Sequence, residues 1–395
     1  MMKKDEVLYL SYTGMMEPLG ESQVLSYLFG LSNFYNFTII SFERKVDIEN
    51  NNKVNQFKNK LSSHNIDWLF FEYKFGGKYY FQNLYKMYSE SKKIVQLNNI
   101  KLIHARGYLP YVVSYLLKRK LNTFKNIFDT RGFWFDEKVD VGEWKKSGFF
   151  YKFSKTLESK LYLNADAVVM LSKKSISLIK SNKVFKNGNN ITNIHYIPTC
   201  TDLNKFSFSK STNNSKPFIG YVGNAVGWYD FDKTAKILVQ ISKFLDFNLV
   251  IYNADQHQLI SKKLLEHGFN KEYNLKKVNH SEIAKEIAKM DISIFFIKPL
   301  FSKNASAATK LGELMSCGVP VITNSNVGDH EELINSYNTG IIVDIDEEIE
   351  LEHLQNKVKY LLSNEVRQNC RKLAEDVFSL EKGIEKYLEI YTSLL

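Results

Sequence analysis

Cysteine is scarce in this chain. Cys200, Cys317 and Cys370 are the only three in 395 residues, and they are scattered, with no pairing suggested by their spacing. That excludes a disulfide framework and a cysteine-based zinc site, and leaves three buried free thiols as the expectation. No apolar run is long enough to span a bilayer. The opening MMKKDEVLYLSY has basic residues, but Asp5 and Glu6 follow and its apolar run is short, so it reads as a first strand and not a secretory segment. A cytoplasmic location is therefore expected. No GxGxxG occurs, so a dinucleotide fingerprint is not supported. There is no short internal repeat and no low-complexity tract. With 44% hydrophobic and 24% charged residues there is also no disorder signature.

A single hydrophobic core stops growing near ~250–300 residues, so 395 residues predict two domains. The formal charge of +10 and the pI near 9.1 point to a polyanionic partner: a membrane surface, nucleic acid or a phosphorylated substrate. Charge alone does not choose among them. Strand-like runs alternate with helical stretches through the first half: VLYLSY (7–12), FTIISF (37–42), DWLFFEY (67–73), KLIHAR (101–106), NIFDTR (126–131), DAVVMLS (166–172) and IHYIPT (194–199). Residues 200–217 are rich in Ser, Asn and Lys and read as a linker. The rhythm resumes at FIGYVG (218–223), FNLVIYN (247–253), DISIFFI (291–297), VPVIT (319–323) and GIIVD (340–344). This predicts an α/β protein of two Rossmann-like parallel-sheet domains, 1–199 and 218–375, facing a central cleft. The tail 376–395 reads as a helix, with Ile384, Tyr387, Leu388 and Tyr391 on one core-facing stripe.

The most informative stretch is Ser302 to Thr323, SKNASAATKLGELMSCGVPVIT, which reads as loop, short helix, turn and buried strand after DISIFFI. A loop leaving the carboxyl end of a strand in an open sheet lines a ligand crevice. A helix starting near Ala307 would aim free N–H groups and its positive dipole end at an anion such as phosphate. Ser306, Lys310 and Glu313 then follow at i, i+4 and i+7 along one face. On spacing alone, Lys310 and Glu313 read as a solvated i, i+3 ion pair. Gly14 and Gly20 bracket the first strand-to-helix loop, ahead of a helix expected around Ser22, where glycine lets backbone approach a ligand. His104 and Arg106 end one predicted strand; Asp129 and Arg131 end another, with Glu137 soon after. Polar groups gathered at strand ends make a candidate acceptor site. Asp230-Phe231-Asp232 and Asp344-Ile345-Asp346 mimic a DxD metal motif, yet both precede helices, where Asp reads as a cap.

TKLGELMSCGVPVI resembles the donor-site segment of the retaining glycosyltransferases of family 4, which have the GT-B fold. The first-loop glycines, the stretches HARGYLPYVVSYLLKRK and FDTRGFWFDEK, and GYVGNAVGWYDFDK resemble the same family. The resemblance runs through nearly the whole chain and is strongest at 11–31, 102–138 and 302–329. It implies that Glu313 holds the ribose hydroxyls of a nucleotide-sugar donor. Gly20, Gly223, Asn224, Ser306, Thr309 and Lys310 complete the implied donor site. His104, Arg106 and Glu137 are the implied acceptor residues, and Lys310, Arg131 and Asp129 the catalytic set. The chain departs from the family at three places. Ala305 stands where another Glu is frequent, Asn224 where Arg is usual, and Asp129-Thr130-Arg131 where many relatives place a His. The tail is implied to pack on the N-terminal domain.

The expected function is transfer of a sugar from a nucleotide-sugar donor to an acceptor hydroxyl, with retention, in bacterial surface polysaccharide or glycolipid synthesis. A nucleotide-sugar epimerase of the same architecture and a non-catalytic polyanion- or membrane-binding protein are the alternatives. No cofactor, no essential metal and no nucleic-acid partner are expected. A glycan or lipid-linked acceptor is. Trp68–Tyr88 and Trp144–Tyr162 interleave aromatic residues with Lys74, Lys78, Lys86, Lys145, Lys146, Lys152 and Lys155, so an anionic membrane surface is a further candidate partner.

Overall fold

The computed structural model describes residues 4–208, 215–279, 281–347 and 349–395, the side chain of Lys78 excepted. The chain divides into two compact units, Met1–Pro198 with Leu380–Leu395, and Thr199–Ser379.

The first unit is built on seven parallel strands: β1 (Glu6–Ser11), β2 (Asn36–Glu43), β3 (Ile66–Glu72), β4 (Leu102–Arg106), β5 (Lys125–Asp129), β6 (Ala167–Met170) and β7 (Ile194–Tyr196). Their order is β3-β2-β1-β4-β5-β6-β7. Central β1 is buried from Val7 to Ser11, as expected of a parallel strand covered on both faces. The order reverses between β1 and β4, where Ser11 lies beside Arg106 at the carboxyl ends. A reversal of this kind opens a crevice because neighbouring connections leave toward opposite faces.

A helical run α1 follows β1, formed by Pro18–Gly20, Glu21–Leu25 and Ser26–Leu31 end to end. It starts earlier than Ser22 because Pro18 fixes the first turn. The other helices that matter here are α2 (Gly77–Leu97), α3 (Tyr108–Leu121), α4 (Trp134–Asp140) and α5 (Phe149–Leu163). The C-terminal helix (Leu380–Leu394) packs on Ser26–Leu31 so closely that a Cβ on Gly30 would lie 2.5 Å from Cδ1 of Ile384.

In the second unit β8 (Phe218–Val222), β9 (Asn248–Tyr252), β10 (Tyr273–Lys276), β11 (Ile292–Ile294), β12 (Val321–Thr323) and β13 (Gly340–Ile342) are parallel in the order β10-β9-β8-β11-β12-β13. Its helices include α6 (Phe231–Ser242), α7 (Thr309–Ser316) and α8 (His330–Tyr337). Ile219, Ile251, Ile292, Ile294 and Ile322 are fully enclosed at the centre. Here the switch point is between β8 and β11. Cys200, Thr201 and Phe206, within the expected linker, are buried parts of this unit; residues 209–214 of it lie outside the described residues. All three cysteines are free and buried.

Candidate functional site

In the second unit, Lys310 comes from the first turn of α7 and is buried at the β8–β11 switch point. Its Nζ donates to the Val222 carbonyl at the end of β8, 2.6 Å away. Three rings enclose the ammonium: Tyr229 with its centroid at 3.8 Å, Phe295 at 5.1 Å and Tyr221 at 5.2 Å. Aromatic faces attract a cation, but they hydrate it far less well than water does. Burial accordingly lowers the Lys310 ammonium to about 7, with Glu313 opposing the shift. Gly223 makes this packing feasible. Its φ of +103° suits glycine, and a Cβ there would sit 3.0 Å from the Lys310 Nζ.

Glu313 is half-buried one turn further along α7. Burial raises its carboxyl to about 7, against the charges of Lys205 and Lys310. Among the described residues no hydrogen bond or ion pair holds this carboxylate, so the solvated i, i+3 ion pair is not what forms. Ala308 at the helix start has no side chain that can cap, which leaves the first N–H groups of α7 available to a ligand. At the start of α8, His330 is 2% exposed, neither ring nitrogen has a hydrogen-bond partner among the described residues, and burial with the Lys310 charge brings it down to about 4. It is a neutral imidazole beside the ammonium.

Ser306 departs from the expected helical face. It is extended, at φ −94° and ψ 151°, and ends the 3-10 turn Phe301–Ala305, because its N–H donates to the Lys303 carbonyl instead of starting α7. Thr309 is the first residue of α7. The Asn224 side chain is exposed beside Gly223, while its carbonyl accepts from the Tyr221 hydroxyl. Lys303, also buried, lies 3.5 Å from the ring centroid of Trp228.

In the first unit a cavity of about 230 Å³ opens at the β1–β4 switch point, and Arg106, Arg131 and Glu137 line it. Arg131 adopts a left-handed conformation, φ +59°, rare for a side chain of its size. Its guanidinium pairs with Asp129 at 3.5 Å. Burial works against the Asp129 charge, but Arg131 and His104 outweigh it and hold the carboxyl down at about 2. Tyr387 donates to Asp129 at 3.2 Å, and the Tyr391 hydroxyl bonds His104 Nδ1 at 2.7 Å. His104 and Asp129 are each 2% exposed and do not line the cavity. The structure thus brings Arg106, Arg131 and Glu137 to one surface and places His104 and Asp129 behind it, supported by the C-terminal helix.

The first loop is arranged differently from the expectation of free amides. Buried Glu43 accepts from the N–H groups of Met15 (2.7 Å) and Met16 (3.1 Å), so a carboxylate of the chain already occupies these donors. Gly20 lies inside α1 at φ −62°, and a Cβ there would meet the Gly14 carbonyl oxygen at 2.2 Å. Glycine is required there by close packing, not by a left-handed turn.

Compared with known proteins, this second unit is recognisable. Residues 203–377 match the family model of the glycosyl transferases group 1. The fold is GT-B. Among solved structures, sucrose-phosphate synthase from Thermosynechococcus elongatus superposes with a TM-score of 0.73 at 16% identity, over 99% of each chain. A glycosyltransferase from Rickettsia africae gives 0.69 at 16% identity, over 99% of this chain and 98% of the other. HepE of Anabaena, in complex with UDP-glucose, gives 0.70 at 14% identity over 98% and 99%. No curated protein sequence matches. The family match thus lies within the second unit, and the likeness of fold extends over the whole chain.

Within that fold the two DxD-like triplets serve as turns and caps. Asp230 accepts from the Lys233 N–H at 3.0 Å at the start of α6, Asp232 pairs with Lys263 and His267, and Asp344 accepts from the Asp346 N–H at 2.9 Å. No group of three or more His, Cys, Asp or Glu among the described residues is placed to hold a metal ion. Tyr229, His330 and Glu43 were not anticipated from sequence. Nothing in the spacing of GWYD or GDHEE signals a ring over Lys310 or an imidazole near it. Tyr387 and Tyr391 were legible as one helical stripe, but not as hydrogen-bonding to Asp129 and His104.

Proposed function

We propose that the protein transfers a sugar from a nucleotide-sugar donor to an acceptor hydroxyl, with retention of anomeric configuration, in the synthesis of a surface glycan or glycolipid. The observation that carries this reading is Lys310, enclosed at the β8–β11 switch point beside the uncapped start of α7, with Glu313 unpaired one turn away. A diphosphate is the ligand such a site favours, since a helix N-terminus and a desolvated cation both act on its oxygens. Glu313 then accepts from ribose hydroxyls. As the glycosidic bond lengthens, negative charge grows on the departing phosphate while oxocarbenium character grows at the sugar. Lys310, which the phosphate keeps protonated, stabilises that charge more in the transition state than in the ground state. No enzymic nucleophile is assigned. The acceptor attacks from the leaving-group face and its proton passes to the departing phosphate. The likeness to HepE, solved with UDP-glucose, supports a UDP-sugar as donor.

A membrane-bound acceptor is the second part of the reading. Phe75, Phe81 and Tyr85 around the start of α2 and Phe149, Phe150 and Phe153 at the start of α5 are 60–80% exposed. Lys74, Lys86, Lys145, Lys146 and Lys152 are exposed among them. Lys155 is not part of this surface, because it pairs with Asp136 and Glu158, and the Lys78 side chain lies outside the described residues. Exposed rings interleaved with lysines complement an anionic lipid interface. Thermal-shift measurements with UDP-, GDP- and ADP-sugars test the donor, with stabilisation by a UDP-sugar expected. Absence of a shift with every nucleotide sugar would overturn the reading. Anomeric NMR of the product tests retention.

A further inference from the structure

We infer that the first unit's cavity takes an acceptor bearing a phosphoryl group, held by Arg106 and the start of α3. This rests on the glycosyltransferase reading and deepens it. Arg106 ends β4 at the switch point and lines the cavity. It is half-buried with its Nε wholly enclosed, and among the described residues its side chain has no hydrogen bond and no ion pair. A guanidinium does not escape this by losing its proton. Asp129, a carboxylate that acts on it through space, is already committed to Arg131, His104 and Tyr387. An anionic ligand in the cavity would give Arg106 the direct partner that it lacks.

The neighbouring backbone points to the same chemistry. α3 starts directly after Arg106 and Gly107, no side chain caps it, and its first residues Tyr108 and Leu109 line the same cavity. Uncapped N–H groups and the positive end of a four-turn helix favour an oxyanion there. A tetrahedral phosphoryl group can accept from a guanidinium and from backbone amides at once. The cavity is not uniformly cationic, because Glu137 also lines it. A carboxylate suits sugar hydroxyls, and the Trp134 and Tyr80 side chains on the same surface suit a sugar face. At about 230 Å³ the space falls below the ~300 Å³ at which drug-sized pockets begin, so it suits one sugar unit and its phosphoryl substituent, not an oligosaccharide.

A phosphoryl group of this kind occurs on a soluble sugar phosphate and on a prenyl-diphosphate-linked sugar. The test uses the full chain in saturating UDP, which occupies the donor site, and titrates glucose, glucose 1-phosphate and farnesyl diphosphate by calorimetry. Expected is binding of one or both phosphorylated probes about tenfold or more tighter than glucose, and loss of that preference in Arg106→Met. Preference for glucose 1-phosphate supports the inference with a soluble source, and preference for farnesyl diphosphate supports it with a lipid source. An unchanged UDP-induced thermal shift in Arg106→Met shows that the variant is folded, and Arg106→Lys should restore part of the preference. No advantage of either probe over glucose, or an advantage that survives Arg106→Met, would overturn the inference. A wild-type chain without any UDP-induced shift counts against the donor reading alone, and the Arg106→Met comparison still reports on the first unit.

Discussion

Replacing Lys310 by Met should make the protein more stable and less active. The substitution keeps the stem's length and removes the charge. Burial brings the ammonium from its ordinary 10.5 to about 7. At ~1.4 kcal/mol per pH unit, that is a penalty of about 5 kcal/mol on the charged form. The unfolded chain binds this proton more tightly than the folded one, so the penalty is full below pH 7, shrinks between pH 7 and 10.5, and is gone above. Against this relief, Met leaves the Val222 carbonyl without its 2.6 Å donor, a loss of about 1–3 kcal/mol. The difference is a gain of about 2–4 kcal/mol at pH 6, or a Tm rise of ~2–4 °C for each kcal/mol in a unit of this size.

Activity should move the other way. A preorganised group acting on charge that develops in the transition state contributes about 10²–10³ in kcat, and the Met variant should lose that factor at saturating donor. Its donor Kd should weaken by less, about tenfold, because the ground-state diphosphate benefits less from the same charge. Scanning calorimetry at pH 6 and pH 10.5, with initial rates at saturating donor, reads both arms. A lower Tm at pH 6 would refute the burial penalty, and an unchanged kcat would refute the role in bond breaking.

Glu313→Ala should weaken donor binding by ~10–100-fold in calorimetry with the fold retained, the effect of losing a charge-assisted hydrogen bond of about 1.5–3 kcal/mol to ribose. Transfer should proceed at full rate in EDTA; loss of activity restored by Mg²⁺ or Mn²⁺ would return the Asp230–Asp232 or Asp344–Asp346 triplets to consideration as ligands. The protein should float with anionic vesicles at low salt and be released at high salt, and Phe149→Ser with Phe150→Ser should abolish flotation. Protein that stays at the bottom of the gradient under all conditions would favour a soluble acceptor.

The fold was legible where burial is symmetrical. VLYLSY, FTIISF and FIGYVG read as strands because parallel strands covered on both faces become unbroken apolar runs. Tyr273–Lys276 was not legible. It is an edge strand of sequence YNLK, bonded to β9 on one side only, and it needs no apolar pattern. The pattern predicts the helix carrying Lys310 and Glu313 from near Ala307, whereas it starts at Thr309, since a short 3-10 turn and a capless beginning leave no sequence signal for the boundary. Spacing also could not separate a solvated pair from a buried lysine and an unpaired carboxylate. What separates them is the ring of Tyr229 and the carbonyl of Val222, each about 80 or more residues away along the chain.

The two units treat their charges in opposite ways, and this difference has a measurable consequence. In the first unit Asp129 is locked: Arg131 and His104 hold it ionised down to about pH 2, and it accepts a hydrogen bond from Tyr387. In the second, Lys310 and Glu313 both titrate at about 7 with no ion pair between them, so small changes in their surroundings decide both charges. A diphosphate favours protonated Lys310, and ribose hydroxyls favour ionised Glu313. Above pH 7 the free protein must take up a proton at Lys310 to bind donor, and affinity should fall by up to about tenfold per pH unit. Below pH 7 it must lose one at Glu313, and affinity should fall again. Because the two groups interact, the limbs report values that belong to the pair and not to either residue. Donor affinity measured by calorimetry from pH 5 to 9 should therefore peak near neutrality. Lys310→Met should remove the alkaline limb and Glu313→Gln the acidic one. A flat profile in the wild-type protein would show that the charges of both groups are fixed before the donor arrives.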